Sequence, residues 1–277
     1  MLTSNRRTFL GGLLATTAAP LATGAPANAP ADSLKLGVAS YSFLMFQRRM
    51  AIRMMHDLRT PYLSVKEFHL PYRSTLDEIA KAVKEFADGG LSVLSGGVVG
   101  MQKDDDAELR HYFEYARAAQ MPMMIIAPTR ETLPKIEKLV KEFNIKVAIH
   151  NHGPEDKHFP GAMDVLAAVK DMDPRIGLCI DVGHATRAGE YVPDAMLKAE
   201  SRLLDVHIKD IVAATGKNRG SVVGEGVLPI PAMFKTLLKM NYQGGVMLEY
   251  EIDADNPLPG MQRSFAYMRG VLAALKA

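Results

Sequence analysis

The chain contains a single cysteine, Cys179, among 277 residues. A lone thiol forms no internal disulfide, so even an oxidising compartment does not staple this fold. Cys179 lies in the apolar run Ile176–Ile180 and reads as core packing. A strong charge of either sign is also lacking. Lys and Arg number 33 against 31 Asp and Glu, a formal +2, and removing Arg6 and Arg7 with the N-terminal leader leaves zero. A neutral domain lacks the positive field with which nucleic-acid binders hold phosphates, so no nucleic-acid partner is expected. Beyond the leader no segment is long and apolar enough for a transmembrane helix, so no stable membrane insertion is expected once the leader is gone. No Gly-x-Gly-x-x-Gly follows the first β-type run, which argues against a dinucleotide site.

The leader itself is informative. Arg6-Arg7-Thr8-Phe9-Leu10 precedes a short apolar run, Leu10–Ala19, and a small-residue stretch with cleavage options ending at Ala27 or Ala31. Charged, then apolar, then small is the order of an export signal, too short to remain as a membrane span. The arginine pair followed by Phe-Leu resembles a twin-arginine signal, with Asn5 where Ser or Thr is usual. The expectation is a cleaved signal over 1–31, a single catalytic domain over 32–277, and a periplasmic or secreted location. Association into a homo-oligomer is left open.

Beyond the leader, short β-type runs alternate with amphipathic segments. The runs are Leu36–Tyr41, Leu63–Phe68, Ser92–Gly97, Met123–Ala127, Lys146–His150, Gly177–Asp181, Leu204–Lys209 and Gly245–Tyr250. Between them, apolar residues recur at helical spacing, as in Leu76, Ile79, Ala80, Val83 and Phe86. Eight βα units of roughly thirty residues predict a (β/α)8 TIM barrel, with an open doubly wound sheet as the competitor. Polar residues decide between them, because a barrel gathers its site at the C-terminal strand ends. Five separate runs end in such groups: Glu67 and His69; His150-Asn151-His152; Asp181 with His184; His207 with Lys209-Asp210; and Glu249 with Glu251. The stretch between Ile211 and Val246, with Gly216–Gly220 and Gly224-Glu225-Gly226, reads as a long loop over the mouth followed by a helix over Pro231–Met240.

Asp181, His207 and Glu249 each end an apolar run and are expected to converge at the mouth, with His150 as a fourth group. Two carboxylates and imidazoles make a mixed N/O set suited to Mn²⁺, Co²⁺, Zn²⁺ or Mg²⁺; no thiolate argues for a soft metal. Three other groups are ordinary. Asp104-Asp105-Asp106 starts a helix, where the helix dipole favours acids. Met121-Pro122-Met123-Met124 opens a strand and packs in the core. Glu155-Asp156 and His158 are either pocket lining or plain surface.

Ile180-Asp181-Val182-Gly183-His184, Val206-His207-Ile208-Lys209-Asp210, Gly224-Glu225-Gly226 and Leu248-Glu249 resemble, in this order, the sugar phosphate isomerase/epimerase superfamily, the xylose-isomerase-like barrels. The resemblance covers nearly all of the chain beyond the leader. It implies that Asp181, His207 and Glu249 are metal ligands and that His184 contacts substrate. One departure stands out. The fifth strand of the epimerases commonly ends in a Glu that is both ligand and base, and here that position is His150. An imidazole can ligate and move protons, but a two-carboxylate exchange on opposite faces of a sugar no longer follows. The endonuclease branch of this superfamily takes further ligands from an Asp-Arg-His segment, and Asn218-Arg219-Gly220 stands there instead.

The chemistry implied is metal-assisted removal of a proton next to a carbonyl, through an enediolate. Glu249 and His150 are the candidate bases, and Lys209 or Lys66 the candidate donor to the developing oxyanion. His184, His152, Glu67, His69, Lys66 and Glu225 are the candidate substrate contacts. Lys66 and Glu67 face opposite ways by strict alternation unless the strand has already ended. Export argues against a phosphorylated metabolite and for an unphosphorylated sugar, a keto-sugar or a keto-glycoside. Isomerisation or epimerisation is the leading expectation. A lyase or dehydratase shares the first step, and a non-catalytic carbohydrate-binding barrel is the alternative of another class.

Overall fold

The structure, a computed structural model, describes residues 34–216 and 219–277; the leader, with Arg6 and Arg7, lies outside the described residues. Eight strands close a parallel barrel: β1 Lys35–Ala39, β2 Tyr62–Val65, β3 Ser92–Met101, β4 Met123–Pro128, β5 Lys146–His150, β6 Ile176–Asp181, β7 Leu203–Ile208 and β10 Gly245–Leu248. Two short strands, β8 (Asp210–Ile211) and β9 (Gly220–Ser221), pair antiparallel after β7 and tie down the base of the mouth loop. The doubly wound alternative is excluded because β1 pairs with both β2 and β10.

Helices α1 (Arg48–Asp57), α2 (Leu76–Asp88), α3 (Asp106–Ala118), α4 (Leu133–Phe143), α5 (Ala162–Val169), α6 (Val182–Arg187), α7 (Val192–Ala199), α8 (Ile230–Lys239) and α9 (Leu258–Lys276) follow the strands. Their starts follow from local chemistry. Thr75 and Glu78 form a reciprocal capping box on α2. The acidic triplet behaves as expected: Asp105 accepts from the amides of Ala107 and Glu108, while Asp104 and Asp106 pair with Lys135. Leu76, which leads the helical pattern of α2, is exposed, whereas Ile79 and Phe86 are buried against the sheet.

Side chains alternate between two cores, as the period of a strand demands. Leu36, Val38, Val147, Ile149, Ile180 and Val206 pack outward into the large core shared with the helices. Met123, Ile125, Ala148 and Cys179 pack together as a separate small core. Cys179 is fully buried, as expected of a packing residue. Strand ends differ from the sequence expectation by a few residues. β2 stops at Val65, so Lys66 and Glu67 have left the strand, and their Nζ and Oε2 lie 2.9 Å apart as an ion pair. Among the described residues no helix is long and apolar enough to cross a membrane.

Candidate active site

Four side chains from adjacent strands meet at the C-terminal end of the barrel. Register places His150 beside Cys179 and Asp181 beside His207, and Glu249 follows directly after β10. Asn151 pins two of these strand ends together. Its side chain accepts from the Asp181 amide at 2.9 Å and donates to the Asp181 carbonyl at 3.2 Å. Asp181 also caps α6, its Oδ1 accepting from the amide of His184 at 2.8 Å, which leaves Oδ2 facing the cluster.

The donor atoms are spaced as a coordination shell requires. His150 Nε2 lies 3.1 Å from His207 Nδ1, 3.5 Å from Asp181 Oδ2 and 3.9 Å from Glu249 Oε2; His207 Nδ1 lies 3.5 Å from Glu249 Oε1. Ligands bound at 2.0–2.2 Å in a tetrahedron stand about 3.4 Å apart. His150, Asp181 and His207 are almost wholly buried and Glu249 nearly so, while His150 Nδ1 and His207 Nε2 have no hydrogen-bond partner among the described residues. Two imidazoles and two carboxylates therefore form a set that fits a divalent cation of the Mn²⁺, Co²⁺, Zn²⁺ or Mg²⁺ type. The Cys179 thiol lies beneath this set, within reach of the same two imidazoles. Burial pushes that thiol up to about 12, so it is neutral near pH 7.

Lys209 is the cation already present. Its ammonium is buried, 3.0 Å from Asp181 Oδ2, 2.9 Å from Glu249 Oε2 and 2.7 Å from Glu251 Oε2. Burial opposes its charge, but these three carboxylates outweigh burial and hold it well above the usual lysine value. Burial likewise favours a neutral Glu249, yet Lys209 and His207 prevail and keep it a carboxylate far into acid. Burial and the neighbouring His152 and His207 hold His150 well below the ordinary imidazole value, so it is neutral. His207 goes the other way. Burial opposes its imidazolium, while Cys179 and Glu249 favour it, and the net shift is well upward. The Glu249 carboxylate, 3.5 Å from His207 Nδ1, adds to the contribution of the Cys179 sulfur.

A ligand histidine must be deprotonated, so a metal ion competes with the His207 proton. Metal affinity is therefore expected to rise with pH by about tenfold per unit for that one proton, up to the elevated His207 value. Isothermal titration of Mn²⁺ across pH 6–8 checks this; a flat profile removes His207 from the ligand set. The metal-free protein should trend oppositely. The stability from the His207 interaction is fully present below its unfolded value near 6.5 and is lost as pH rises through the folded one.

The other expected contacts divide. His152 and His184 lie beside the cluster, their rings 4.5 and 6.1 Å from that of His150, and burial keeps both below the ordinary imidazole value. Glu67 is part-exposed and holds Lys66 and Tyr72. Lys66 also donates to the Val98 carbonyl at 2.6 Å. Two expectations are corrected. His69 has no ring nitrogen to offer, because Nδ1 contacts Ser40 Oγ at 3.0 Å and Nε2 the Phe46 carbonyl at 3.1 Å. Glu225 is exposed and faces Arg263, not the cluster. Its glycines serve a different purpose. Asp210 is buried and accepts from the amides of Gly224, Gly226 and Leu228, and a Cβ on Gly226 would fall 2.2 Å from Asp210 Oδ1. The Gly-Glu-Gly pattern is thus a backbone cradle for Asp210 that anchors the mouth loop.

Sequence reasoning named Asp156, Glu155 and Glu251 without assigning them and passed over Arg187. Asp156 Oδ2 stands 3.7 Å from His152 Nδ1, and its other oxygen caps the loop amides of His158 and Phe159. Arg187, almost fully buried, joins Glu155 and lies 3.5 Å from His184 Nδ1. A basic residue one helical turn after His184 was the available signal.

Residues 50–271 match the family described as xylose isomerase-like TIM barrel. The chain belongs to that family. It is an enzyme by the same kinship. An inosose dehydratase of Clostridium beijerinckii is 24% identical over 222 residues, 75% of this chain and 68% of that protein. An inosose dehydratase of Clostridium botulinum is 29% identical over 143 residues, and there the chain spans about half the relative's length, 48%. The solved structure of the 3-keto-D-glucoside 4-epimerase YcjR from E. coli superposes with a TM-score of 0.70 at 15% identity, over 86% of this chain and 99% of that one. These three proteins are named for epimerisation or dehydration.

Proposed function

We propose that this enzyme is metal-dependent and removes a proton next to the carbonyl of an unphosphorylated keto-sugar or keto-glycoside, isomerising or epimerising it. The observation that carries this reading is the spacing of the His150, Asp181, His207 and Glu249 donors beside two neutral imidazoles. His150, Asp181, His207 and Glu249 would hold a divalent cation, which would polarise a carbonyl and offset the charge that develops on its oxygen. Lys209, a permanent ammonium, orients Asp181 and Glu249 and lends positive charge to the developing oxyanion. Glu249 is tied to that ammonium and is a poor base in this state; His152 and His184 are neutral near pH 7 and suited to receive or return a proton. The carbohydrate-binding barrel without catalysis is set aside, because kinship makes the chain an enzyme.

Elimination of a β-substituent is the second reading, favoured by the inosose dehydratases among the sequence relatives and by the imidazole at position 150. One base and one acid suffice for elimination, whereas epimerisation needs proton transfer on both faces of the carbon. Mn²⁺-loaded enzyme in D₂O with a panel of free sugars, keto-sugars and 3-keto-glucosides separates the two. Deuterium next to the carbonyl with an epimer is expected from the first, and an unsaturated keto product from the second. Absence of exchange and turnover across the panel, with metal bound, would falsify both.

The twin-arginine export and periplasmic location are proposed on Arg6-Arg7 and the apolar run that follows. Changing the pair to Lys-Lys should retain precursor in the cytoplasm, since a receptor reads the motif. Undiminished appearance of that variant in the periplasm counts against the route.

A further inference from the structure

Beside the cluster of His150, Asp181, His207 and Glu249, and linked to it through Glu251 and Lys209, lies a second space. Glu251, two residues past Glu249, gives Oε2 to Lys209 at 2.7 Å and at the same time lines a cleft of about 660 Å³. Tyr41 and Leu44 form one wall, from the segment after β1; Val212 and Ile252 form the other, from the loops after β8 and β10. The volume falls in the range that takes a drug-sized ligand and exceeds what one sugar ring needs. The composition is amphipathic. Tyr41 presents a part-exposed ring beside Phe68, centroids 5.9 Å apart, and Phe68 and Val212 are exposed apolar side chains. Against these stand the Glu251 carboxylate and the Arg219 guanidinium. Aromatic and aliphatic walls suit the C–H face of a pyranose, and a carboxylate suits its hydroxyls.

We propose that this cleft is a subsite for a second sugar ring, so that the substrate is a disaccharide-sized keto-glycoside. The inference rests on the functional reading above and names the size of its substrate. The reacting ring lies over Lys209 and Glu249, and the glycosidic bond passes Glu251. Tyr41 stacks on the second ring, and Glu251 accepts from its hydroxyls while holding Lys209. Glu251 is thus a positioning residue shared by both halves of the site.

The test compares two probes that share the reacting ring: methyl 3-keto-β-glucoside and 3-keto-cellobiose. KM for turnover and Kd by calorimetry are measured on Mn²⁺-loaded wild type, Val212→Trp and Ala254→Trp, both residues lining the cleft. The wild type should favour the disaccharide by about tenfold or more in both quantities, and each tryptophan should bring that ratio toward one. Equal affinity for the two probes in the wild type overturns the proposal, as does a preference that survives both variants. Tighter binding of phenyl 3-keto-glucoside than of the disaccharide also overturns it and assigns the cleft to an apolar group. If neither probe exchanges its α-proton, the functional reading fails. Cellobiose against methyl glucoside in saturation-transfer NMR then still decides the cleft, with Val212→Trp abolishing a cellobiose signal if the subsite exists. Circular dichroism of both variants guards against a folding defect.

Discussion

Asp181→Asn should purify as a folded barrel whose affinity for Mn²⁺ has fallen by about a hundredfold or more. Changing an outer-shell partner already costs about 10- to 100-fold, so losing an anionic donor costs at least as much. The choice of asparagine matters. Asp181 Oδ1 caps α6 through the His184 amide, and alanine would remove the cap along with the ligand. That loss alone destabilises by about 1 kcal/mol, and it would also release the His184 backbone. Asparagine caps as well as aspartate but offers a neutral oxygen, so Asp181→Asn isolates the metal effect. Asp181→Ala should show the same metal defect plus a lower melting temperature. His207→Gln provides the second arm, removing an imidazole without opening a large cavity. Metal content by inductively coupled plasma spectrometry, alongside circular dichroism, reads the result. Full metal content in both Asp181→Asn and His207→Gln would show that the cluster is a polar core and not a metal site.

Lys209→Met should separate what the ammonium does from what the metal does. With no metal added, the substitution leaves the buried Asp181 and Glu249 carboxylates without their principal cation, and Glu251 without its partner. Breaking a buried ion pair from one side costs about 3–5 kcal/mol. For a domain of this size that corresponds to a melting point lower by roughly 10 °C. Saturating Mn²⁺ should recover most of it, because the metal brings positive charge to the same carboxylates. The stabilisation on adding Mn²⁺ is therefore larger in Lys209→Met than in the wild type. The same oxygen atoms face both cations, so the variant should also bind Mn²⁺ at least as tightly as the wild type. Equal metal-induced shifts in the two proteins would show that the ammonium and the metal do not share these carboxylates. Catalysis is expected to fall even with metal restored, since Lys209 also supports charge on the reacting oxygen.

The corrections to the strands are small and those to the loops are large. The expected strand ends at His150 and Asp181 hold, whereas β3 runs on to Met101 and β2 stops at Val65, and the early end of β2 resolves the opposition of Lys66 and Glu67 that strict alternation implied. Their ion pair exists because both residues lie past the strand, where alternation no longer applies. The outward turn of Glu225 was not visible in Gly-Glu-Gly, because the pattern answers to Asp210, a buried acceptor fourteen to sixteen residues away along the chain. His69 was placed among the contacts because it follows a strand end, yet its two ring nitrogens are claimed by Ser40 and Phe46 from the first βα unit. Cys179 was legible in part. It stands two residues before Asp181, and strand periodicity puts it on the same inward face, one layer down.

What the sequence by itself determined was the local alternation of strand and helix, the barrel it implies, and the ends at which polar groups sit. Those properties depend on hydrophobic period and on neighbours within a few residues, which a single chain displays directly. Asp181, His207, Glu249 and His150 could be named because strands of one parallel barrel deliver their last inward residues to one place. The tertiary structure alone decided their electrostatics and their company: that the surroundings of His207 favour its charged form while those of His150 disfavour it, that Lys209 serves three carboxylates, and that Glu251 links the cluster to a wider cleft. Those outcomes depend on burial and on charges separated by up to about a hundred residues in the chain, and Coulomb energy follows distance in space, not position in sequence.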